Sequence, residues 1–243
     1  MRMVTDDALI IGLMDFREND RIVTFFSRDH GRISGVARGA RRSVKRFGGA
    51  LELFSRLVLN FIPAEGLVTV HDVDPVTIYP NIRATLEGIA HAGYACELVA
   101  ALAPERMANQ RLFRLLAAYL EQLDRYPANR SDRHFFEINL LNILGYRPPL
   151  ESCCRCGDRL GDKGGGWSGG DEGRICCPRC GRGGARLGGE AIAGLLQSLA
   201  IGRFGQVVFP ERALAEVGTY LEAFIADHLQ RPLKSLAFLR LSP

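Results

Sequence analysis

Six of the seven cysteines of this 243-residue sequence lie between residues 153 and 180. The motif Cys-x-x-Cys occurs there twice, and a glycine follows each pair. Two such knuckles can supply four thiolates in tetrahedral geometry, which is the usual ligand set of a structural zinc site. Four cysteine ligands leave no open coordination position. The spacing therefore predicts one structural Zn²⁺ per chain, held by Cys153, Cys156, Cys177 and Cys180.

Cys154 and Cys176 adjoin these ligands and leave alternatives open. Each can replace its neighbour, Cys153 or Cys177, in the coordination, or remain a free thiol. The set of four is preferred because only these four cysteines form two Cys-x-x-Cys motifs. A third alternative is that all six cysteines are cytosolic thiols without metal.

Disulfides are not expected, because the N-terminus does not resemble a secretory signal. Asp6 and Asp7 interrupt the apolar stretch that a signal peptide needs, and no later run is long enough to span a bilayer. We therefore expect a cytoplasmic protein without a membrane segment, whose thiols a reducing cytosol keeps free.

Positive charge is concentrated between Arg28 and Arg56. The net charge of +4 for the whole chain says little about a partner, but this segment carries eight cations against two anions, which gives +6. Its densest part, residues 38–49, mixes cations with glycines between two predicted strands and predicts a flexible basic loop that can follow a phosphate backbone. The alternative is a solvated loop without a ligand. The candidate DNA-binding residues are Arg38, Arg41, Arg42, Lys45 and Arg46.

Proteins that bind single-stranded nucleic acid also use aromatic side chains on which bases stack. Four phenylalanines near the basic loop are available for this role, although some of them must belong to the core. They are Phe16, Phe25, Phe26 and Phe47.

Residues 4 to about 74 contain short apolar and β-branched runs separated by turn residues, which predicts strands. Five such runs match the strand number of an OB-fold barrel. In the fourth run, Leu57, Leu59 and Phe61 fall on one face. The five runs are 8–16, 22–27, 33–36, 51–61 and 67–73.

After Pro75 and Pro80 the apolar pattern becomes helical. The predicted fold class is α+β, with an OB-fold DNA-binding domain at residues 1–78 and a helical domain at residues 79–243. A helix is expected to start at Ser131 and Asp132 and to end at Gly145, and the tail from Leu233 is either a strand or a short helix. A zinc finger is expected at about residues 151–184, because that stretch has almost no apolar residues with which to form a core.

An enzyme would need a reactive group of side chains, and the best candidate is His71-Asp72-Val73-Asp74. Alternation along a strand sends His71 to one side and both aspartates to the other, so a compact metal-dependent nuclease site does not follow. We expect a protein that is not an enzyme.

The sequence resembles the RecO family along nearly its whole length. Residues 15–31 look like the family's first β-hairpin, and residues 36–42 look like its basic Lys-Gly-Ala-Arg loop, with Arg38 in the lysine position. The segment from Leu144 to Pro148, followed by Cys-x-x-Cys-Gly, is similar to the entry into the family's zinc finger. Cys154, Cys176 and the long glycine-rich insert 161–173 depart from the pattern and affect the choice of ligands.

This resemblance implies a bacterial, cytoplasmic mediator of DNA repair and recombination in the RecF pathway, associated with the nucleoid during repair. Such a protein binds single- and double-stranded DNA, anneals complementary strands and helps to load RecA onto strands coated by the single-stranded DNA-binding protein. Its implied partners are RecR and the acidic C-terminal tail of the single-stranded DNA-binding protein, with RecF as a further candidate. Candidate contacts for the tail are Arg106, Arg111 and Arg114.

A second hypothesis is a zinc-containing protein-interaction adaptor without annealing activity. In that protein the finger and the helices bind a partner, and the basic loop has no ligand.

Overall fold

The computed structural model of the chain describes residues 2–47, 49–161, 164–168, 173–181 and 183–241. Close backbone contacts divide the chain into two compact units, Met1–Pro127 together with Leu233–Pro243, and Ala128–Pro232. These units do not coincide with the predicted sequence domains, whose boundary near residue 78 stays a prediction.

The first unit begins with a five-stranded barrel. Its strands are β1 (Val4–Phe16), β2 (Asp20–Ser27), β3 (Gly31–Ala37), β4 (Arg56–Ile62) and β5 (Val68–Thr77). They close in the order β1-β2-β3-β5-β4, and every neighbouring pair is antiparallel except β3 and β5, which run parallel. The predicted OB-like barrel is confirmed.

Alternation along the strands fills the barrel with apolar side chains. Leu57, Leu59 and Phe61 of β4 all point inward and are at most 2% exposed, as the sequence predicts. They pack against Val23 and Phe25 of β2 in one continuous core.

Seven helices lie in the described part of the chain. They are α1 (Val44–Phe47), α2 (Leu86–Leu102), α3 (Gln110–Arg125), α4 (Arg130–Leu144), α5 (Gly189–Ala200), α6 (Glu211–His228) and α7 (Lys234–Leu241), and a 3-10 helix spans Pro80–Ala84. The short α1 lies between β3 and β4 and places Phe47 in the barrel core. None of the described helices is both long and apolar enough to cross a membrane.

Helices α2, α3 and α7 belong to the same compact unit as the barrel. Helix α2 packs against β1 and α7 packs against α2. The tail is thus a helix rather than a strand, and its first amides, those of Lys234 and Ser235, donate to the carboxylate of Glu97 at 3.0 and 2.7 Å.

The second unit contains α4, α5 and α6, which contact one another. Helix α4 begins two or three residues earlier than a cap at Ser131 or Asp132 predicts, because Asn129 is its N-cap and accepts from the Asp132 amide at 2.8 Å. Gly145 ends the helix at φ 86°, as predicted for a left-handed C-cap.

A small sheet precedes α5 in the second unit. Its strands β6 (Gly165–Ser168), β7 (Ile175–Cys176) and β8 (Ala185–Gly188) pair in the order β7-β6-β8. Much of the glycine-rich insert, at residues 162–163 and 169–172, lies outside the described part. The sheet and the two cysteine knuckles beside it form a finger that leads into α5. The α+β class, with a barrel, a helical region and an inserted cysteine cluster, is confirmed.

Candidate nucleic-acid interface and metal centre

The basic loop at residues 38–47 is anchored on the turn between β1 and β2. Gly39 has a positive φ of 66°, and its amide donates to Asp20 Oδ1 at 2.8 Å. The Arg41 amide donates to the carbonyl of Asn19 at 3.2 Å. The Arg41 guanidinium also reaches the carbonyl of Glu18 at 3.3 Å. Two segments about twenty residues apart therefore form one surface at one end of the barrel.

Four arginines of this loop, Arg38, Arg41, Arg42 and Arg46, are exposed. Within the described residues none of them has a carboxylate at ion-pair distance. Arg46 instead donates to the Arg38 carbonyl at 2.6 Å, which keeps the loop folded back on itself. The side chain of Lys45 lies outside the described part.

The remaining cations of the basic segment are paired. Arg28 contacts Asp29, Arg32 contacts Glu105 at 3.0 Å, and Arg56 makes two hydrogen bonds to Asp7. The hydrogen bonds to Asp7 raise the pKa of Arg56. The charge excess of the segment is therefore exposed at the loop rather than spread over the barrel.

Three of the four aromatic candidates belong to the core. Phe25 and Phe26 are 0% exposed and Phe47 is 2% exposed, so none of them offers a face to a base. Phe16 is partly exposed at the end of β1, and the Arg17 guanidinium lies 5.1 Å from its ring centroid. Phe16 is the one candidate of the four with an accessible ring, beside the basic loop.

Sequence reasoning missed a buried polar network in the same barrel. The Asp6 carboxylate accepts from the Ser27 hydroxyl at 2.7 Å and from the Asp29 amide at 3.1 Å, and its Oδ2 lies 2.7 Å from His30 Nδ1. These contacts hold the turn between β2 and β3. Their partners are more than twenty residues from Asp6, so no local spacing pattern reveals them.

The structure brings the four predicted metal ligands together. The Sγ atoms of Cys153, Cys156, Cys177 and Cys180 all lie within 4.8 Å of one another. Cys156 and Cys177 approach to 3.8 Å, and the Cys177 amide donates to Cys153 Sγ at 3.2 Å. Four converging thiols at this distance fit a tetrahedral metal ion, and the cluster can hold one.

A backbone turn in each Cys-x-x-Cys motif orients its thiols towards the cluster. The Gly157 amide donates to the Cys153 carbonyl at 3.0 Å, and the Cys180 amide donates to the Cys177 carbonyl at 2.9 Å. Burial acts to raise the pKa of Cys153, but hydrogen bonds from the backbone of Cys156, Cys177 and Arg155 outweigh it and lower that pKa. A thiolate, the form that binds a metal, is therefore favoured at Cys153.

Cys154 and Cys176 are joined by a disulfide, so the expectation that the chain has no disulfide was wrong for this pair; the fold brings together two cysteines that are 22 residues apart in sequence. Their Sγ atoms also lie within 4.8 Å of Cys153 Sγ. The choice of Cys153, Cys156, Cys177 and Cys180 as the ligands stays a prediction.

The candidate enzyme site does not form a metal cluster. His71 Nδ1 lies 2.6 Å from Asp72 Oδ2, and Asn60 donates to the other Asp72 oxygen at 2.6 Å. The hydrogen bond from Asn60 lowers the pKa of Asp72. Among the described residues, only the cysteines bring three or more metal-binding atoms together.

Comparison with known proteins supports one family. A model described as "Recombination protein O N terminal" matches residues 1–79, and one described as "Recombination protein O C terminal" matches residues 83–237.

Curated relatives span nearly the whole chain. The DNA repair protein RecO of Geobacter sulfurreducens is 50% identical over 240 residues, which cover 99% of this chain and 98% of that protein. The DNA repair protein RecO of Geobacter metallireducens is 48% identical with the same coverage, and that of Pelobacter propionicus is 46% identical over 96% of this chain and 94% of its own. Together with the five-stranded barrel and the cysteine cluster, these matches show that the chain belongs to the RecO family.

Proposed function

We propose that this protein is a mediator of DNA repair and recombination in the RecF pathway. It binds single- and double-stranded DNA, anneals complementary strands and helps to load RecA onto strands coated by the single-stranded DNA-binding protein. The observation that carries this proposal is the basic loop, where Arg38, Arg41, Arg42 and Arg46 are exposed without carboxylate partners among the described residues. Membership in a family whose curated relatives are named DNA repair proteins supports it.

The proposed mechanism is electrostatic and needs no nucleotide hydrolysis. Guanidinium groups of the loop neutralise phosphates and release condensed counterions, which lowers the repulsion between two strands. Phe16, beside Arg17 at the neighbouring turn, offers a ring on which an unpaired base can stack. The loop then holds two backbones close enough to pair while their bases stay accessible. No step in this mechanism makes or breaks a covalent bond, so the protein acts as a mediator rather than an enzyme.

The cysteine cluster serves as a structural zinc site in this proposal. Cys153, Cys156, Cys177 and Cys180 would hold the ion, and with four thiolates no position is left for a substrate. Zinc supplies folding free energy, on the order of 10 kcal/mol for small zinc domains. Arg155 supports the site by donating to the Cys180 carbonyl at 2.8 Å.

The proposed partners are RecR, RecF and the acidic tail of the single-stranded DNA-binding protein, in the cytoplasm and at the nucleoid. For the tail, Arg111 and Arg114 on α3 are exposed and remain candidates. Arg106 is less suited, because its guanidinium already donates to the Gly66 carbonyl. We assign DNA binding to the domain of residues 1–78 and the binding of protein partners to the domain of residues 79–243.

Fluorescence-monitored annealing tests the function. Complementary single strands, bare or coated by the cognate single-stranded DNA-binding protein, are mixed with the protein without nucleotide. The proposal expects faster pairing that survives the coating. Binding to coated strands without annealing contradicts it and favours the adaptor hypothesis.

A further inference from the structure

The finger contains a second sulfur pair outside the predicted ligand set. Cys154 and Cys176 are 22 residues apart in sequence, yet their Cα atoms are 5.3 Å apart and a disulfide joins them. This Cα separation lies in the range that native disulfides require.

The backbone holds the two residues together independently of the sulfur bond. The Cys154 amide donates to the Ile175 carbonyl at 2.9 Å, next to Cys176 in the chain. Cys176 itself is held in β7, where it pairs with Trp167 of β6. Reduction of the disulfide therefore leaves two thiols that stay opposite each other.

The two sulfurs differ in access to solvent. Cys154 is exposed, whereas Cys176 is 7% exposed. A cavity of about 660 Å³ opens onto Cys154 and is lined also by Tyr146 and Arg174. Redox-sensor cysteines are accessible to solvent and often lie next to a second cysteine that resolves the oxidised sulfur, and Cys154 has both properties.

The pair borders the predicted set of four ligands and lies close to one of them, Cys153. Cys154 follows Cys153 and Cys176 precedes Cys177 in the chain, but the Cys177 amide keeps Cys153 Sγ turned towards the four-sulfur cluster. Free thiols at Cys154 and Cys176 would lie within reach of the same ion, since both Sγ atoms are within 4.8 Å of Cys153 Sγ. A disulfide withdraws both of them from metal coordination.

We propose that Cys154 and Cys176 form a reversible redox-modification site that hydrogen peroxide oxidises while the metal stays bound. The Cys154 sulfur attacks one peroxide oxygen, the O–O bond breaks, and a first water leaves with a sulfenic acid on Cys154. The Cys176 sulfur then attacks that sulfenic sulfur, its S–O bond breaks, and a second water leaves as the S–S bond forms. Two thiols and one peroxide thus give one disulfide and two waters, and two small thiols reverse the change by becoming a disulfide themselves.

The consequence is a covalent link between the first knuckle and β7. The link closes the loop that contains Cys156 and the glycine-rich insert, so it restricts the unfolded finger. The finger of the oxidised protein stays ordered when the metal is removed, whereas the finger of the reduced protein does not.

Differential alkylation of the full-length, zinc-loaded protein tests the proposal. Reduced protein is treated with hydrogen peroxide, free thiols are blocked, and the oxidised cysteines are reduced, labelled with a second reagent and mapped by mass spectrometry. We expect the second label on Cys154 and Cys176 only, so that five of the seven cysteines stay blocked as thiols. Native mass spectrometry should show the zinc still bound. A label on any of the four ligands, or loss of zinc in step with oxidation, overturns the proposal.

A double variant, Cys154→Ser with Cys176→Ser, supplies the matched control, and Cys96→Ser removes a buried thiol of α2 that the proposal does not involve. The double variant should keep its zinc and resist the peroxide dose that oxidises the Cys96→Ser variant. Equal oxidation of both variants contradicts the assignment.

Limited proteolysis with a zinc chelator gives a readout that does not depend on a variant. Cleavage within residues 151–188 should be slower in oxidised than in reduced wild-type protein by at least roughly tenfold. Equal cleavage rates would show that the disulfide does not keep the finger ordered after the metal is removed, and would contradict this part of the proposal.

Discussion

Arginines without a carboxylate partner in the described part of the chain distinguish the basic loop from the rest of the barrel. Arg56 and Arg32 have the same side chain as Arg41 and Arg42, but each is paired with a carboxylate, Arg56 with Asp7 and Arg32 with Glu105. Binding a phosphate there would require breaking an existing ion pair. Arg41 and Arg42 have no ion pair with a described carboxylate to break, so they can contact a phosphate as the proposed function requires.

Reversal of the loop charges should abolish annealing. The variant replaces five cations of the loop with glutamate, so that the surface repels phosphates, and the zinc content should remain that of the wild type. The control reverses exposed arginines elsewhere and should anneal normally. The substituted loop residues are Arg38, Arg41, Arg42, Lys45 and Arg46, and the control residues are Arg125, Arg130, Arg203, Arg212 and Arg231. Unchanged annealing in the loop variant would remove this loop from the mechanism.

Asp6→Ala should destabilise the barrel by about 3 kcal/mol, because it leaves the buried Ser27 hydroxyl and the part-buried Asp29 amide without their acceptor. Urea denaturation followed by circular dichroism measures the change as a lower midpoint with an unchanged slope. Asp15→Ala is the control, since Asp15 is 60% exposed in its ion pair with Arg21. A midpoint for Asp6→Ala equal to that of this control would show that the network contributes nothing.

At the scale of elements, the finger depends on its sulfurs. The strands of the finger are two to four residues long. Such short strands bury too little apolar surface to offset the entropy of ordering the chain. The barrel differs in kind, because its strands of seven to thirteen residues enclose a continuous apolar core.

In protein whose Cys154–Cys176 disulfide has been reduced, Cys180→Ser should therefore disorder the finger and leave the barrel intact. Loss of one thiolate opens the tetrahedral site, so bound zinc falls and residues 151–188 become sensitive to protease. Metal analysis and limited proteolysis measure both effects, and Cys96→Ser is the control that removes a thiol far from the cluster in sequence. A reduced, metal-free variant with a fully protected finger would contradict a structural role for the ion.

At the scale of the whole molecule, the modest net charge of +4 hides a local concentration of charge. The interaction with DNA should therefore depend on the loop rather than on the overall balance. Binding through phosphate contacts releases counterions, so the affinity for DNA should fall as the salt concentration rises.

Binding to single-stranded DNA should lose affinity with a slope of about −3 in a plot of log K against log salt concentration, if four or five loop cations contact phosphates. Fluorescence anisotropy of a labelled oligonucleotide measures the slope. The loop variant should bind weakly with a shallower slope, and the control variant should match the wild type. A slope near zero for the wild type would mean that phosphate contacts do not drive binding.

Much of the fold follows from local patterns. Alternation in Leu57, Leu59 and Phe61 predicts an inward strand face, because side-chain direction in a strand has a period of two. The two Cys-x-x-Cys motifs predict converging thiols, because three-residue turns orient each pair by themselves. Both expectations match the structure.

The sequence by itself determined the strand faces, the cysteine knuckles and the density of charge in the basic segment, since each depends on neighbours within a few residues. Only the tertiary structure decided that Arg56 is paired with a carboxylate while Arg41 has none within reach among the described residues, that Phe25 and Phe26 are buried, and that Cys154 meets Cys176. The physical reason is separation along the chain. Asp7 lies 49 residues from Arg56, and Cys154 lies 22 residues from Cys176. Such contacts form only when the whole fold brings distant segments together, so no pattern among neighbouring residues predicts them.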